Sequence, residues 1–321
     1  MVETPGRITL WGIEVFIATA DESSITAAAR RLRASPSSVS QQISNLEGAL
    51  GVKLLNRSAR PVTLTPAGEL FRRRAQTILN EAEQARAELA LEDMSRLTRF
   101  RLGMIEDFDA DVTPALLANL SRDLSTTQFL LETGASHRLF DQLDARALDV
   151  IVAADMGGDE EWMELHPLLE EPFVAAVPRG VLEPGRDVLE QLSALPLIQY
   201  TARHHMGRQI AAHLVRENLR LDYRFELDSY HSIMAMVATG VGWTILTPLG
   251  FLRAHRFRAA AELVQLPFAP LSRRISLIAR RDVLGDIPAR TAARLRPLIA
   301  DEIIKPCLAE MPWLSGALRL L

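Results

Sequence analysis

The sequence predicts a multidomain protein of the α and α/β classes, with a small helical N-terminal domain, a long connecting helix and a two-lobed α/β body. Its 321 residues are too many for one ordinary hydrophobic core. Apolar residues recur at helical spacing up to about residue 89, whereas short apolar runs alternate with helical stretches after residue 98. The 48% hydrophobic and 24% charged residues are typical of a folded globular chain.

Three short helices are predicted in the N-terminal domain, because apolar residues recur there every three or four positions. The three stripes are Ile13, Phe16, Ile17 and Ala20; Ile25, Ala28, Ala29 and Leu32; and Val39, Ile43, Leu46 and Leu50. Ser23 or Ser24 is a suitable N-cap for the second helix. Ser35, followed by Pro36 at the first helical position, is suitable for the third.

Polar side chains cover the outer face of the third helix. They are Ser37, Ser38, Ser40, Gln41, Gln42, Ser44 and Asn45. Short hydroxyls and amides can reach phosphates and base edges, and a glutamine can pair with adenine through two hydrogen bonds. The second helix of a helix-turn-helix enters the major groove of DNA with such residues. On spacing alone, a small helical bundle with a polar surface helix remains the alternative.

A basic wing is predicted after the third helix. Arg57 and Arg60 flank a turn before the alternating segment Val62-Thr63-Leu64, which could lie over the DNA backbone or minor groove. Residues 1–74 carry a net charge of +4, whereas the remainder of the chain carries −8. A cationic head on an acidic body is expected when only the head meets phosphate.

The same region contains four consecutive motifs. They read Ser24-Ile25-Thr26-Ala27-Ala28-Ala29, residues 35–47, Leu50-Gly51-Val52-Lys53-Leu54-Leu55-Asn56-Arg57, and Leu64-Thr65-Pro66-Ala67-Gly68. They resemble the winged helix-turn-helix of the LysR-type transcriptional regulators, with Ile25 and Leu55 where the family usually has Phe. The resemblance implies that residues 8–66 bind double-stranded DNA. The expected DNA-binding residues are Ser24, Thr26, Arg30, Ser35, Pro36, Ser37, Ser38, Ser40, Gln41, Gln42, Ser44, Arg57 and Arg60.

A long helix is predicted to follow, beginning at Thr65-Pro66. Its apolar stripe keeps a heptad spacing and consists of Phe71, Ala75, Ile78, Ala82, Ala85 and Leu89. The resemblance implies that residues 67–95 are a linker helix that pairs with the same helix of a second copy. The alternative is a surface helix packed on its own domain.

The body, residues 98–307, is predicted to consist of two α/β lobes built on parallel strands. Strands are predicted at residues 101–105, 128–132, 149–153, 197–201, 224–227, 243–246 and 274–279. Helices are predicted at residues 113–124, 138–147, 206–217, 233–239 and 289–304. The predicted boundaries are 98–170 and 268–307 for lobe 1, 171–267 for lobe 2, and 308–321 for a C-terminal tail.

Two motifs in the second lobe resemble the effector-binding region of the same family. They are Phe225-Glu226-Leu227-Asp228-Ser229 and Val237-Ala238-Thr239-Gly240-Val241-Gly242-Trp243-Thr244-Ile245-Leu246-Thr247-Pro248. The resemblance implies the two-lobed fold of a type 2 periplasmic solute-binding protein, with a small-molecule effector between the lobes. It also implies a dimer or tetramer on a dyad-symmetric operator, with RNA polymerase as a further candidate partner.

Ligands of open α/β sheets bind beyond the C-terminal ends of the strands. The effector-binding residues expected from that rule are Ile105, Glu106, Asp107, Gly134, Ala135, Ser136, Tyr200, Thr201, His204, His205, Ser229, Tyr230, His231 and Thr247. Glu106 and Asp107 would repel an anion, so we hypothesise a cationic or amine-bearing effector. The alternative is that one or both acids point to solvent.

No metal site or cofactor is predicted. His204, His205 and His231, taken with Asp107, do not have the spacing of a recognised metal site, so hydrogen bonding or surface exposure is the simpler interpretation. The single cysteine, Cys307, suits a reducing cytosol and lacks a resolving partner for redox sensing. The sequence shows no signal peptide and no bilayer-spanning apolar run, so we expect a cytoplasmic protein without a membrane partner.

Two alternative functions remain. The first is an α/β enzyme fused to a DNA-binding head, but the sequence contains no Walker loop, nucleophile elbow or His-Glu-x-x-His motif, and no catalytic residue is predicted. The second is a DNA-binding protein whose body serves only assembly. Stabilisation of the body by a ligand would separate a sensor from such a scaffold.

Overall fold

A computed structural model of the chain describes residues 7–57, 59, 61–88, 97–157 and 161–321. The chain divides near residue 92 into two compact units, here called the head and the body. In the head, the described elements are α1 (Leu10–Glu22), α2 (Ile25–Arg31), α3 (Pro36–Leu50), β1 (Leu55–Asn56), β2 (Thr63–Leu64) and α4 (Pro66–Glu88). The antiparallel pairing of β1 and β2 forms the wing, so the winged helix-turn-helix predicted from the sequence is confirmed.

The three helices of the head pack through the stripes predicted from their spacing. Phe16, Val39 and Ile43 are fully buried. Hydroxyl side chains begin the second and third helices: Ser24 Oγ accepts from the Ala27 N–H at 3.3 Å, and Ser35 Oγ accepts from the Ser38 N–H at 3.1 Å. Each cap satisfies a backbone donor that the helix itself leaves unpaired, which fixes where α2 and α3 begin.

A buried carboxylate joins α3 to the wing. Glu47 is only 3% exposed, and its Oε1 accepts from the backbone N–H groups of Leu54 at 2.9 Å and Leu55 at 3.2 Å. Its Oε2 accepts from Arg57 at 2.9 Å and from Lys53 at 3.1 Å. Burial acts to raise the pKa of Glu47, but these hydrogen bonds and the Arg57 charge together hold the pKa below its ordinary value.

The helix α4 changes its surroundings along its length. Its first half packs on the head: Phe71 lies 5.3 Å from Phe16 between ring centroids, and Ala75 is fully buried. Farther along the predicted heptad stripe, Ile78 is 39% exposed and Ala85 is exposed. The alternative expectation, a surface helix packed on its own domain, therefore applies to the first half of α4 only. Leu89, the last residue of the predicted stripe, lies outside the described residues.

The body alternates strands and helices along most of its length. Its described elements are β3 (Arg99–Ile105), α5 (Val112–Asp123), β4 (Gln128–Gly134), α6 (Ser136–Asp144), β5 (Val150–Ala154), β6 (Met163–Pro172), β7 (Val174–Pro178), α7 (Val188–Ser193), β8 (Leu197–Tyr200), α8 (His205–Arg216), β9 (Tyr223–Leu227), α9 (Tyr230–Ala238), β10 (Thr244–Leu246), α10 (Pro248–Arg253), β11 (Ala261–Gln265), β12 (Ser272–Arg280), α11 (Ile287–Ile299), α12 (Lys305–Glu310) and β13 (Arg319–Leu320).

The first lobe is built on a six-stranded sheet with the order β13-β6-β12-β5-β3-β4. The strand β3 runs parallel to β4 and β5, as predicted. The expectation of a purely parallel sheet was wrong for the rest, because β12 pairs antiparallel with both β5 and β6. Sequence analysis missed β6, in which His166, Pro167 and three glutamates interrupt the apolar pattern of a strand.

The second lobe contains a three-stranded antiparallel sheet, β10-β7-β11, and the parallel pair β8–β9. Its core surrounds Trp243, which is fully buried and donates through Nε1 to the Leu195 carbonyl at 3.3 Å. The chain passes between the lobes at the end of β6 and before β12. At this crossing the Phe173 N–H donates to the Leu271 carbonyl at 2.7 Å.

The C-terminal segment belongs to the first lobe, contrary to the expectation of a separate tail at residues 308–321. Leu314 and Leu318 are buried in the core of that lobe. The strand β13 adds to the edge of the sheet, where Arg319 lies opposite Glu170. The apolar residues near the C-terminus are thus explained by packing inside the lobe.

Replacing Glu47 with Ala should unfold the head more easily, because two backbone N–H groups would stay buried without an acceptor. We expect a loss of about 2–4 kcal/mol in the free energy of unfolding. Amide hydrogen exchange in the peptide covering residues 36–56 of the full chain measures it. The control, Glu69→Ala, removes an exposed carboxylate from α4 and should cost less than about 1 kcal/mol.

The hydrogen bonds of the Glu47 carboxylate also predict that acid destabilises the head. The pKa of Glu47 is lowered in the folded head, so its stabilisation is complete above the ordinary glutamate pKa of about 4.3 and is lost as the pH falls through the folded value. Protection of residues 36–56, taken relative to the intrinsic exchange rate at each pH, should therefore fall in acid in the wild-type chain and change less in the Glu47→Ala variant. Equal acid sensitivity of the two chains would contradict this role.

Candidate functional site

An outward polar stripe runs along α3, the predicted recognition helix. Ser37, Ser38, Gln41 and Asn45 are exposed on one face, opposite the buried apolar stripe. The Gln41 amide donates to Asn45 Oδ1 at 2.9 Å, which orients both amides along the helix. This stripe offers hydroxyl and amide groups to a groove, the chemistry that reads base edges.

Gln42 is less favourably placed than its neighbour. Its side chain is half-buried, and its amide oxygen turns back toward Gly12 of α1. From the sequence we expected Gln42 to specify a base, but consecutive helical residues differ by about 100° in direction and the position of α1 decides which of the two faces outward. In the structure the Gln41 side chain is exposed and that of Gln42 is half-buried.

Three residues expected to contact DNA instead bind one another. The Arg57 guanidinium donates through Nη1 to Ser40 Oγ at 3.3 Å and to Ser44 Oγ at 3.1 Å, and through Nη2 to Glu47. Arg57 is 29% exposed at its side chain. It therefore fixes the wing against α3, and only part of its surface remains available to phosphate.

The other residues expected to contact DNA are either exposed or engaged in capping helices. Thr26 and Arg30 are exposed one turn apart on α2, where they can face phosphate. Ser24 and Ser35 serve as N-caps, and Pro36 occupies the first turn of α3. Arg60 lies outside the described residues.

A cavity lies between the two lobes of the body. It includes ten of the fourteen residues expected to bind an effector, namely Ile105, Glu106, Asp107, Gly134, Ala135, Ser136, Tyr200, His204, His205 and Tyr230. Its interior volume is about 70 Å³, which is smaller than the roughly 300–1,000 Å³ of most small-molecule sites and so suits a small ligand. The ends of β3, β4 and β8 meet here, as the strand-end rule predicted.

Four expected residues do not line this cavity. Thr201 donates to Glu226 Oε1 at 2.6 Å, and Thr247 caps α10 by accepting from the Gly250 N–H at 3.3 Å. Ser229 precedes α9, whereas His231 is exposed. All four follow the expected strands, and Thr247 Oγ1 accepts from Arg273, which does line the cavity, at 3.4 Å.

Six cavity residues were missed by sequence analysis. They are His137, Ala154, Met206, Gln209, Asp228 and Arg273. His137 and Gln209 lie within helices, one and four residues beyond the helix starts, where the strand-end rule does not reach. Arg273 lies on β12, which the rule could not place because that strand runs antiparallel to its neighbours.

Arg273 lies at the back of the cavity with two buried carboxylates. Its Nη2 lies 2.7 Å from Asp107 Oδ2 and 2.5 Å from Glu171 Oε1, and its Nε donates to Glu171 at 2.7 Å. All three side chains are at least nine-tenths buried. Glu171 also accepts from the Leu249 N–H at 3.4 Å.

The charges of this triad are strongly coupled. Burial, opposed by Arg273 and reinforced by the Asp107 charge, raises the pKa of Glu171 to about 7. Burial acts to lower the pKa of Arg273, but the neighbouring carboxylates raise it well above its ordinary value. The guanidinium is therefore a permanent cation that contacts both acids.

Four rings line the cavity from one lobe to the other. The centroid distances are 5.5 Å for Tyr230 and Tyr200, 5.6 Å for Tyr200 and His204, and 5.0 Å for His204 and His137. His137 belongs to the first lobe and the other three rings to the second. Burial lowers the pKa of both histidines, so they are neutral at pH 7 and present flat, weakly polar surfaces.

Among the described residues, no group of three or more histidine, cysteine or acidic side chains is arranged to hold a metal ion. Within the same residues, no helix is both long and apolar enough to cross a bilayer. Cys307 is fully buried in the first lobe, and burial raises the pKa of its thiol to about 12.

The chain was compared with known proteins and solved structures. A hydrogen peroxide-inducible genes activator from Dickeya chrysanthemi is 27% identical over 239 residues, which cover 74% of this chain and 78% of that protein. A full-length OxyR variant from Pseudomonas aeruginosa is 25% identical with a TM-score of 0.64, covering 93% of this chain and 96% of the other. Full-length CbnR complexed with its target DNA has the same fold, at 20% identity and a TM-score of 0.63, with 91% and 100% coverage.

Family models match both units of the chain. Residues 10–69 match the bacterial regulatory helix-turn-helix protein of the lysR family, and residues 95–295 match the LysR substrate binding domain. OxyR of Escherichia coli is named a DNA-binding transcriptional dual regulator, and CbnR is named a LysR family transcriptional regulator. With its winged head and two-lobed body, this chain belongs to the LysR family of DNA-binding transcriptional regulators.

Proposed function

We propose that this protein is an effector-controlled regulator that binds a dyad-symmetric operator as a dimer or tetramer. The outward stripe of Ser37, Ser38, Gln41 and Asn45 on α3 carries the DNA-binding half of this proposal. Its amides and hydroxyls would read bases, while Thr26 and Arg30 on α2 would contact the backbone. Selection of binding sites from a random duplex library by the full chain tests it, since the proposal expects a two-fold symmetric consensus.

The exposed residues of α4 support pairing between copies. Ile78 is 39% exposed and Ala85 is exposed on the heptad stripe, so an apolar strip continues beyond the part of the helix that packs on the head. A second α4 would cover this strip, as in a coiled coil. The described 23 residues of α4 extend over about 35 Å, which gives a pair of such helices a substantial contact length.

The cavity between the lobes is the proposed effector site. Three carboxylates, Glu106, Asp107 and Asp228, contribute to its lining, against the single guanidinium of Arg273. The acidic balance supports the cationic effector hypothesised from the sequence. The sequence-based hypothesis relied on two adjacent acids that repel an anion. In the structure Asp107 is paired with Arg273, so of these two acids only Glu106 is exposed.

A cysteine-based peroxide response is not part of the proposal. The Dickeya chrysanthemi relative is named for hydrogen peroxide, and Cys307 is the only cysteine in this chain. Peroxide reacts with the thiolate, and a thiol whose pKa is raised to about 12 in an apolar core is almost wholly protonated at pH 7.

Replacing Gln41 with Ala should relax the selected sequence at one base position and weaken specific binding by about 1–3 kcal/mol. Fluorescence anisotropy with the selected duplex and its single-base variants measures both effects. Gln42→Ala is the matched control, because that amide is half-buried beside α1 and should change the base preference less. A larger loss of preference in Gln42→Ala would reverse the assignment.

Replacing Arg57 with Ala should loosen the wing from α3 by removing donors to Ser40, Ser44 and Glu47. We expect weaker binding to specific and random duplexes alike, together with faster hydrogen exchange in residues 53–57. Arg30→Ala, which removes an exposed guanidinium from α2, should weaken binding without that change in exchange. If Arg57→Ala left the exchange unchanged, the hydrogen bonds of Arg57 to Ser40, Ser44 and Glu47 would have no structural role.

Treating the full chain with hydrogen peroxide should change its DNA affinity no more than it changes that of a Cys307→Ser variant. The buried, protonated thiol explains this expectation. DNA affinity before and after treatment, with mass spectrometry of the Cys307 peptide, provides the comparison. A peroxide response that disappears in the variant would show that the thiol is a sensor.

A further inference from the structure

We propose that the second lobe contains a separate binding site for a small amphipathic carboxylate, whose apolar chain occupies a pocket and whose carboxylate pairs with Arg220. This pocket, here called the lobe-2 pocket, lies between α8 and the strand β8. All of its described lining residues belong to the second lobe, and the inference does not depend on the proposed effector site.

The lobe-2 pocket is a space that the side chains of the protein leave unfilled. Its interior volume is about 270 Å³, compared with about 70 Å³ for the cavity between the lobes. Protein interiors are close-packed, and voids much larger than a water molecule are few. A dry apolar cavity of about 150 Å³ is already sufficient to bind benzene. The lobe-2 pocket therefore has room for a ligand with several carbon atoms.

Aliphatic side chains form most of the lining of the lobe-2 pocket. Ile198, Ile210 and Ile245 are 0%, 4% and 3% exposed and contribute its buried wall. Three half-buried leucines complete the apolar surface, namely Leu214, Leu219 and Leu221. An aliphatic or aromatic group that leaves water for this surface gains the hydrophobic free energy of burial. The lining therefore favours a ligand with an apolar body.

The segment after α8 bounds the pocket and is held at both ends. Asn218 has a φ of 54°, in the left-handed region that asparagine tolerates, and the Leu219 N–H donates to the Leu214 carbonyl at 2.9 Å. The Asp222 carbonyl accepts from the Leu197 N–H of β8 at 2.8 Å. Because backbone hydrogen bonds fix both ends of residues 219–221, this side of the pocket is built by the fold.

Arg220 supplies an unshared positive charge at the lining. Its side chain is exposed, and its guanidinium has no ion pair or hydrogen bond among the described residues. Because Arg220 borders the pocket and its long side chain is in solvent, the guanidinium can turn toward the head group of a bound ligand. An arginine can form two parallel hydrogen bonds with a carboxylate.

The other polar contribution to the lining also suits an anion. Gln199 is half-buried, and its side-chain amide has no partner within the described part of the chain. Its N–H groups are donors that a carboxylate can accept from. The described lining contains no acidic residue, so an anionic head group meets donors and a cation without a repelling carboxylate in the lining.

The lobe-2 pocket adjoins the cavity between the lobes. Tyr200 lines both spaces, and α8 contributes Met206 and Gln209 to the cavity and Ile210 and Ala211 to the pocket. A ligand in the lobe-2 pocket would therefore contact a ring and a helix that also line the space between the lobes.

The test is a ligand-observed NMR titration of the full-length chain at pH 7. Hexanoate is the probe, butanoate is its shorter analogue, and 1-hexanol replaces the carboxylate with a neutral group. Each buried methylene contributes about fourfold in affinity, so hexanoate should bind about tenfold or more tightly than butanoate. Pairing with the exposed Arg220 should make hexanoate bind about threefold more tightly than 1-hexanol.

Two variants with matched controls locate the ligand. Ala211→Phe adds a ring at the lining and should weaken hexanoate binding about tenfold or more, whereas Ala212→Phe, at an exposed position of α8 outside the lining, should not. Arg220→Gln should reduce the affinity for hexanoate to that for 1-hexanol. Arg224→Gln, which removes an exposed guanidinium outside the lining, should preserve the difference. Thermal unfolding without ligand verifies that each variant is folded.

Several results would overturn the inference. They are no binding of hexanoate, equal binding of hexanoate and butanoate, and equal binding of hexanoate and 1-hexanol by the wild-type chain. Wild-type affinity in a folded Ala211→Phe variant would also overturn it, because the acid would then lie elsewhere. If Ala211→Phe does not fold, Arg220→Gln decides, since a retained preference for hexanoate would exclude the assigned cation. None of these results bears on the proposed effector control, whose site lies between the lobes.

Discussion

The body depends on one buried guanidinium. Arg273 comes from β12, Glu171 from the end of β6, and Asp107 from the turn after β3, so three separate chain segments meet at a single cation. The strands β6 and β12 are also the two that lead between the lobes. Burying three ionisable groups is unfavourable unless each is paired, and removing one partner from such a group typically costs about 3–5 kcal/mol. The triad therefore fixes the crossing and the wall of the cavity together.

The head is also held together by one buried charge, but there the charge is negative and its partners are donors and cations. There a buried carboxylate, Glu47, gathers two backbone N–H groups and the Arg57 and Lys53 cations. Because Arg57 also binds hydroxyls on α3, the wing and the recognition helix are held by one set of hydrogen bonds. In both units a charge that could have met a ligand or a phosphate instead sets the geometry of the groups around it.

Local patterns predicted much of this architecture. Helical spacing located α1, α2 and α3, and cap residues fixed the starts of α2 and α3, because those effects involve residues only a few positions apart. The closing motif of the wing also has a local explanation: a Cβ at Gly68 would clash with the Leu54 carbonyl oxygen. The strand-end rule found most of the cavity because it follows from topology and needs no side-chain detail.

The failures have a common cause, which is pairing between distant residues. Spacing indicates that Ser40 and Ser44 leave the buried stripe of α3, but it does not show that Arg57, more than ten positions away, will bind them. Asp107 and Arg273 are separated by 166 positions, so the sequence showed an acid beside Glu106 without its counter-ion. Two adjacent acids suggested simple repulsion of anions, whereas the structure shows one exposed acid, Glu106, and one buried acid, Asp107, paired with Arg273.

The triad also links the cavity to the packing between lobes through very few atoms. Asp107 contributes to the cavity lining, and Glu171, on the other side of the same Arg273 nitrogen, accepts from the Leu249 N–H at the start of α10. That short helix contributes Leu249 to the core of the first lobe and Phe251 to the core of the second. Because one Arg273 nitrogen contacts both carboxylates, the wall of the cavity and the start of the helix shared by the two lobes are held by the same ion-pair group.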